Sequence, residues 1–378
     1  MMDATPPKHS HRHPMRRCWP VTMWPDADQR CRAKALAPGT LFDDAGHGTH
    51  LAPASLEKIA KGYGRWLHFL SSQGLLDPDS APGDRVNPNR VAAYVTELRT
   101  QVADTTIVNR LEELALALKI MVPEMSWSWI NQVIARIRRT AVPAPDKHAL
   151  VQHSAALLGL GLHLMESALE GPLRLRSAER YRDGLIIATL AATGLRRRNL
   201  VAIEIGRHLV TKSDEFWLHF DSCETKNRQP CDMPLPMQLA PYILTYLERI
   251  RPFLLSRGGR VSPPQIKALW VSEEATAMRG ISIYFRIRKY TKAAFGHPAN
   301  PHLFRDCRAT SIAIDDPSHI GAVSTLLGHR RRRTTEKYYN LAGSLEAGRR
   351  VAATILALRG EGTAVVLAEV SKSKKRNR

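Results

Sequence analysis

No apolar run in this sequence approaches the ~20 residues that a bilayer crossing requires, and its first residues, MMDATPPKHSHRHP, lack the apolar stretch of a secretory signal. A cytoplasmic chain is the expectation. Cysteine is scarce: five are scattered at 18, 31, 223, 231 and 307, an odd number that makes no disulfide framework. No CxxC or HExxH occurs, so metal sites of those kinds are excluded. His9, His11 and His13 read as a solvated tail rather than ligands. A phosphate-cradling Gly-rich loop is missing too, since Gly258-Gly259 is an isolated turn. Asp315-Asp316 stands alone ahead of Pro317, which does not suit two-metal nuclease chemistry.

Acidic residues are the other deficit. Against 35 Asp+Glu stand 55 Lys+Arg, a formal charge of +20 on 378 residues. Such a charge calls for a polyanion, either nucleic acid or an acidic membrane surface. No amphipathic helix with a basic polar face stands apart from the core pattern, which leaves the membrane reading weakest. Apolar residues at 44% give the chain enough for a core and exclude wholesale disorder. The length favours two to three domains.

Residues 1–50 are rich in Pro, His and Arg and poor in periodicity, and read as an irregular arm ordered at most by Trp19 and Trp24. From there to residue 142 apolar residues recur at three- and four-residue steps, the mark of helix faces. Leu56, Ile59, Tyr63, Trp66, Leu67 and Leu70 make the first series and Val91, Tyr94, Val95 and Leu98 the second. Ile107, Leu111, Leu114 and Leu118, then Trp129, Ile130, Val133, Ile134 and Ile137, complete a four-helix unit over 51–142. The proline-bearing AVPAPDK opens a linker and lead-in over 143–176. A second domain is expected over 177–360, with helices at 177–192, 238–255, 281–295, 303–313 and 320–327, Ser177 serving as N-cap of the first. Strand-like runs at 215–220 and 232–235, joined by a polar turn at 225–229, predict a small β-hairpin within this helical domain. The tail 361–378 ends in the basic run SKSKKRNR. The fold class is mainly α with a small β element.

Chemistry concentrates in an ordered series: Thr193-Gly194-Leu195-Arg196, Lys226 in the hairpin turn, His302-x-x-Arg305, Leu327-Gly328-His329, and tyrosines nine and ten residues further on. Singly, each has an ordinary structural explanation, such as a helix cap, a solvated turn or a surface pair. Together, two arginines, two histidines and a lysine are all donors, suited to a phosphodiester whose negative charge grows in a pentavalent transition state. Tyr338 and Tyr339 supply candidate nucleophiles. A phenol has a pKa of ~10, and a cationic pocket favours its anion.

The stretches ATGLRRRNL, ETKNRQPCDMPLP, PHLFRDCRAT and LLGHRRRRTTEKYYN, in this order and at these separations, resemble the tyrosine recombinases, or phage-integrase family. The resemblance implies a SAM-like helical core-binding domain followed by a catalytic domain of the DNA breaking-rejoining enzyme fold. It implies that Arg196 and Arg305 hold the scissile phosphate, that Lys226 protonates the leaving 5′ oxygen, that His302 helps move the tyrosine proton, and that His329 donates a hydrogen bond to the phosphate. The tyrosine attacks phosphorus and leaves a 3′-phosphotyrosyl link, so neither ATP nor a metal cofactor is required. The commonest family spacing selects Tyr338. The TTEKHYN-like register selects Tyr339, which we take as nucleophile with Tyr338 as the alternative. Successive helical positions point ~100° apart, so both rings cannot face one phosphate. Two positions depart from the family pattern: Asp306 follows Arg305 where histidine is common, and Asn199 replaces the usual acid three residues after Arg196.

The implied function is site-specific recombination or integration of DNA by a nucleoid-associated enzyme serving a mobile element. The alternatives are a non-catalytic DNA-binding regulator of the same fold and a type IB topoisomerase-like relaxing enzyme. Double-stranded DNA is the implied partner, with Lys58, Lys61, Arg65, Arg136, Arg138 and Arg139 on the first domain and Arg330, Arg331, Arg332 and Arg333 beside the site as phosphate contacts. Exchange between two duplexes implies a tetramer on DNA. Leu345, Val351, Ile355 and Leu358 mark a helix that family members commonly pass to a neighbour.

Overall fold

The apolar spacing of the amino-terminal half produces the four expected helices: α2 (Pro53–Ser72), α3 (Pro88–Arg99), α4 (Asp104–Met121) and α5 (Ser128–Thr140). A fifth, α1 (Asp26–Leu36), precedes them. The computed structural model describes residues 18–142, 150–256 and 266–316, in two compact units, Met1–Pro145 and Asp146–Arg378. In the first unit, Pro53 and Pro88 occupy opening positions of α2 and α3, where a missing N–H costs nothing. The Asn87 side chain caps α3 by accepting from the Arg90 N–H. The inner faces meet around Tyr63, Trp66, Leu70, Ile107, Leu111, Leu114, Leu118 and Ile130. Gly62 lets α2 close onto α4, because a Cβ there would lie 2.3 Å from the Glu113 Cβ.

Within the stretch whose composition predicts an irregular arm, residues 26–36 form a helix, while 37–50 hold only turns and bends. Helix α1 anchors through an ion pair rather than an apolar stripe. Its Asp28 is fully buried against the equally buried Arg85, and the Tyr63 hydroxyl donates to Asp28 Oδ1 at 2.5 Å. Arg85 Nε also donates to the Asp77 carbonyl at 2.8 Å, so one guanidinium ties α1 to the loop before α3. Burial and then the charge of Asp28 hold the Tyr63 phenol well above its ordinary pKa. Trp24 stacks edge-on to Tyr63 at 5.0 Å, and the Trp19 N–H donates to the Gly64 carbonyl at 3.1 Å.

In the second unit, helix α6 (Ser154–Ser167) lies within the stretch read as linker and lead-in, packed against α7 (Leu175–Thr193). They touch where Gly161 meets Gly184, since a Cβ on Gly184 would come within 2.7 Å of the Gly161 carbonyl oxygen. Ser177 is not the N-cap of α7: Arg174 holds that place, and the Ser177 hydroxyl in the first turn accepts from the Arg174 N–H at 2.8 Å. After the short α8 (Arg197–Val201) comes an antiparallel sheet of β1 (Leu209–Lys212), β2 (Glu215–Phe220) and β3 (Cys231–Pro234), in that order. Leu209 pairs with Leu218 and Phe220 with Cys231. The β2–β3 hairpin matches the sequence pattern, displaced by one residue in β3. Strand β1 escaped it because its turn, Ser213-Asp214, has positive φ at both residues (47° and 63°) without the Asn-Gly or Asp-Gly that usually marks one.

The expected helix over 238–255 divides into α9 (Ala240–Thr245), a π-helical turn (Tyr246–Ile250) and α10 (Arg251–Ser256). Helices α11 (Gly280–Phe295) and α12 (Pro301–Asp315) follow, and the Asn300 side chain caps α12 by accepting from the His302 and Leu303 N–H groups at 2.9 and 3.0 Å. The expected helix at 320–327, the 345–358 segment and the basic tail lie outside the described residues. Among the described residues, no helix is long and apolar enough to cross a membrane.

Replacing Asp28 by Ala leaves the Arg85 charge buried without its partner, and should lower stability by about 3–5 kcal/mol. Tyr63→Phe, which removes a hydrogen bond to a charged acceptor, should cost about 1.5–3 kcal/mol. Urea unfolding followed by tryptophan fluorescence measures both.

Candidate active site

Helix α7 ends at Gly194, whose φ of 62° puts it in the left-handed region while its N–H still donates to the Leu190 carbonyl. That conformation suits glycine and reverses the chain within two residues. Arg196 then stands as N-cap of α8, half-buried. Desolvation pulls its guanidinium pKa below the ordinary arginine value.

Arg305 reaches the same point from α12. It is buried, 6% exposed, and its Nη1 donates to the Gly194 carbonyl oxygen. Arg305 is thus bonded to the backbone two residues before Arg196, although more than a hundred positions separate the two arginines in the chain. Cys231, at the start of β3, shows their convergence from a third direction. Burial and Asp232 raise its thiol pKa, while the positive charges of Arg196 and Arg305 both pull it down. Cys231 thus lies close enough to both guanidiniums to feel their charge.

His302 sits in the first turn of α12, one helical turn before Arg305, and is exposed. Lys226 is exposed in the turn between β2 and β3. His329, Tyr338, Tyr339 and the run Arg330 to Arg333 lie outside the described residues. The structure therefore brings Arg196 and Arg305 together, and places Lys226 on the hairpin whose second strand supplies Cys231. Cys231 falls within the ETKNRQPCDMPLP stretch, where nothing in the sequence singles it out as a neighbour of the two arginines. Among the described residues, no three His, Cys, Asp or Glu side chains group to hold a metal.

The basic residues singled out on the first unit form two groups. Glu113 on α4, only 5% exposed, lies 3.8 Å from Lys58 Nζ, 3.4 Å from Arg65 Nη1 and 2.9 Å from Arg110 Nη1. Lys61 pairs with Glu57 at 2.5 Å. These six side chains and Ala54 line an open cavity of about 230 Å³. Arg110 was missed because it stands on a helix read only for its apolar face. On α5, Arg136 and Arg139 are exposed and Arg138 pairs with Glu112.

Residues 163–344 match the model of the phage integrase family. This segment is a phage integrase domain. Its curated relatives are tyrosine recombinases. XerD of Chlamydia pneumoniae is 25% identical over 281 residues, which is 72% of this chain and 82% of that protein. XerC of Roseiflexus sp. (strain RS-1) is 26% identical over 180 residues, 47% of this chain and 54% of that one. XerD of Staphylococcus epidermidis (strain ATCC 35984) is 25% identical over 165 residues, 43% and 52% of the two chains. The chain thus spans about half the length of Roseiflexus XerC and of Staphylococcus XerD. Among solved structures, XerH bound to a palindromic difH substrate in a post-cleavage complex gives a TM-score of 0.56 at 13% identity, covering 89% of this chain and all (100%) of that one. The XerH pre-cleavage complex with difH gives 0.54 at 13% identity, with coverage of 85% and 96%. This likeness shows a shared fold: mainly helical, with the small sheet inside the integrase domain.

Gly194→Ala in this integrase domain forces an L-residue into the left-handed region and should cost about 1–2 kcal/mol in urea unfolding. Gly159→Ala is the control. It sits in helix α6 with nothing within 4 Å of an added Cβ, and should gain up to about 1 kcal/mol.

Proposed function

We propose that this chain is a site-specific DNA recombinase that cuts and rejoins strands through a 3′-phosphotyrosyl intermediate. The single observation that carries the reading is that Arg305 bonds the Gly194 carbonyl two residues before Arg196, and that both guanidiniums act on the Cys231 thiol, inside a phage integrase domain. Two planar guanidiniums at one pocket suit the non-bridging oxygens of one phosphate, and burial strengthens their field.

In this mechanism the phenol of Tyr339 (Tyr338 in the alternative register) attacks phosphorus. Its proton passes toward His302, and the bond from phosphorus to the 5′ oxygen breaks as Lys226 donates a proton to that oxygen. His329 donates a hydrogen bond to the phosphate. Rejoining runs the same steps backward, with a 5′ hydroxyl displacing the phenol. The phosphotyrosyl link conserves the bond, so the cycle balances without ATP or a metal cofactor.

Duplex DNA is the substrate, in keeping with relatives named tyrosine recombinases and with XerH bound to its difH site. On the first unit, the cluster of Lys58, Lys61, Arg65 and Arg110 and the exposed Arg136 and Arg139 supply phosphate contacts, with Arg330 to Arg333 doing so beside the site. Exchange between two duplexes requires four protomers on DNA, and the work is done in the cytoplasm at the nucleoid.

A nicked suicide duplex carrying the cognate site should trap a denaturation-resistant protein–DNA adduct. Arg196→Ala and Arg305→Ala should each cut adduct formation by about 10²–10³-fold, the loss expected when one stabiliser of transition-state charge is removed. Tyr339→Phe should abolish the adduct and Tyr338→Phe should retain it. The reverse pattern moves the nucleophile to Tyr338, and adducts from both variants overturn the mechanism.

A further inference from the structure

The ten-residue connection between β2 and β3 carries Lys226 and looks, in sequence, like an ordinary polar turn. Its structure is organised around one acid, Glu224, two positions before the lysine. Glu224 Oε1 accepts from Arg207 Nη2 at 2.7 Å and from His208 Nε2 at 3.0 Å. Its Oε2 accepts from the Asp221 N–H at 3.0 Å. The tautomer of His208 follows from its other bond: Nδ1 accepts from the Glu204 N–H at 3.0 Å, so Nε2 carries the hydrogen and donates.

His208 is itself fixed. It is 2% exposed and stacks on Phe220, the last residue of β2, at 5.0 Å. The backbone of Glu224 faces the other way. Its carbonyl accepts from Asn199 Nδ2 at 3.4 Å, and Asn199 lies three residues after Arg196 in α8. Beyond Glu224, the Thr225 hydroxyl closes the loop by donating to the Gln229 carbonyl at 2.7 Å and accepting from the Gln229 N–H at 3.1 Å. The lysine-bearing turn is thus tied through Glu224 to the lead-in of β1 and to the helix that Arg196 caps.

We propose that Glu224, held by His208, Arg207 and Asn199, is a positioning residue that sets where the Lys226 ammonium stands relative to the Arg196 pocket. The inference rests on the recombinase reading and on Lys226 as general acid. It also assigns work to Asn199, the position where the family pattern has an acid. Here the side chain holds the hairpin by its amide rather than orienting Arg196 by a charge. Glu224 touches no reacting atom and acts through Lys226.

The test compares two suicide duplexes with the full chain, one with the natural 5′-bridging oxygen and one with sulfur in its place. A thiol has a pKa of ~8.5 and leaves as the thiolate, so the sulfur duplex needs no proton from a general acid. Glu224→Ala should slow adduct formation on the oxygen duplex by about 10²-fold, the lower range for loss of an acid catalyst. On the sulfur duplex it should slow it by less than about 3-fold if proton delivery is all that is lost. Lys226→Ala should show the same split, and the double variant should be no slower than Lys226→Ala alone, because the two act as one unit. Glu224→Gln keeps an acceptor for His208 and should stay within about 10-fold of the parent.

Should Glu224→Ala fail to fold, Asn199→Ala carries the comparison, with oxygen-specific slowing of about 10-fold for one lost hydrogen bond. Equal slowing on both duplexes, or a parental rate on the oxygen duplex, overturns the inference and leaves the recombinase reading intact. A parent chain that forms an adduct with neither duplex overturns both.

Discussion

The arrangement of the integrase domain depends on holding like charges together. Arg196 and Arg305 both act on the Cys231 thiol, and like charges gathered in one place repel. Burial adds to that cost by removing water. The compensation comes from the backbone: the Gly194 carbonyl accepts from Arg305, and at the end of α7 it has no helical N–H to pair with. One position thus serves twice, its left-handed turn leading to Arg196 and its carbonyl fixing Arg305. A site assembled this way is preorganised for an anion, which replaces mutual repulsion with attraction to both groups.

Acids elsewhere in the chain do comparable work on cations, with outcomes set by exposure. Asp28 and Arg85 are both fully buried, so their bond is architecture and cannot be exchanged for a ligand. Asp183, 1% exposed, stands beside the buried Arg182 at 2.8 Å and within 3.7 Å of Arg286, joining α7 to α11. Burial raises the Asp183 pKa despite those two arginines. Glu113 differs, because its own carboxylate is buried while Lys58 stays 61% exposed. Its partners can turn toward a phosphate without leaving a charge stranded, since Glu113 retains Arg110 at 2.9 Å. A chain with only 35 acids and 55 bases places several of its acids where they orient cations.

Much of this was legible in the sequence, for identifiable reasons. Helices α2 to α5 announce themselves because their inner faces are apolar at helical spacing, and the Arg196, Lys226, His302 and Arg305 series is legible because each residue is of a type that phosphoryl chemistry uses. Helix α1 was not, because the residue it buries most deeply is Asp28, and a scan for apolar periodicity reads an aspartate as outward-facing. Strand β1 was missed for a related reason: Ser213-Asp214 adopts a turn that other residues adopt more readily. Ser177 illustrates the limit of cap rules, since a serine at the third helical position accepts from the cap residue's own N–H, where a cap serine would accept from the first turn.

The hold on the Lys226 loop shows what no linear pattern carries. Glu224 and His208 are sixteen positions apart, and neither spacing nor composition links them. They meet because β1 and β2 pair in a register that sets Leu209 against Leu218, which brings His208 beside the far end of β2. Their bond is therefore a consequence of sheet register. A one-residue slip in that register would turn every side chain of β1 to the opposite face and take the site's connection to its lysine with it. The strand that sequence reasoning overlooked is thus the one on which the placement of its clearest catalytic candidate in the hairpin depends.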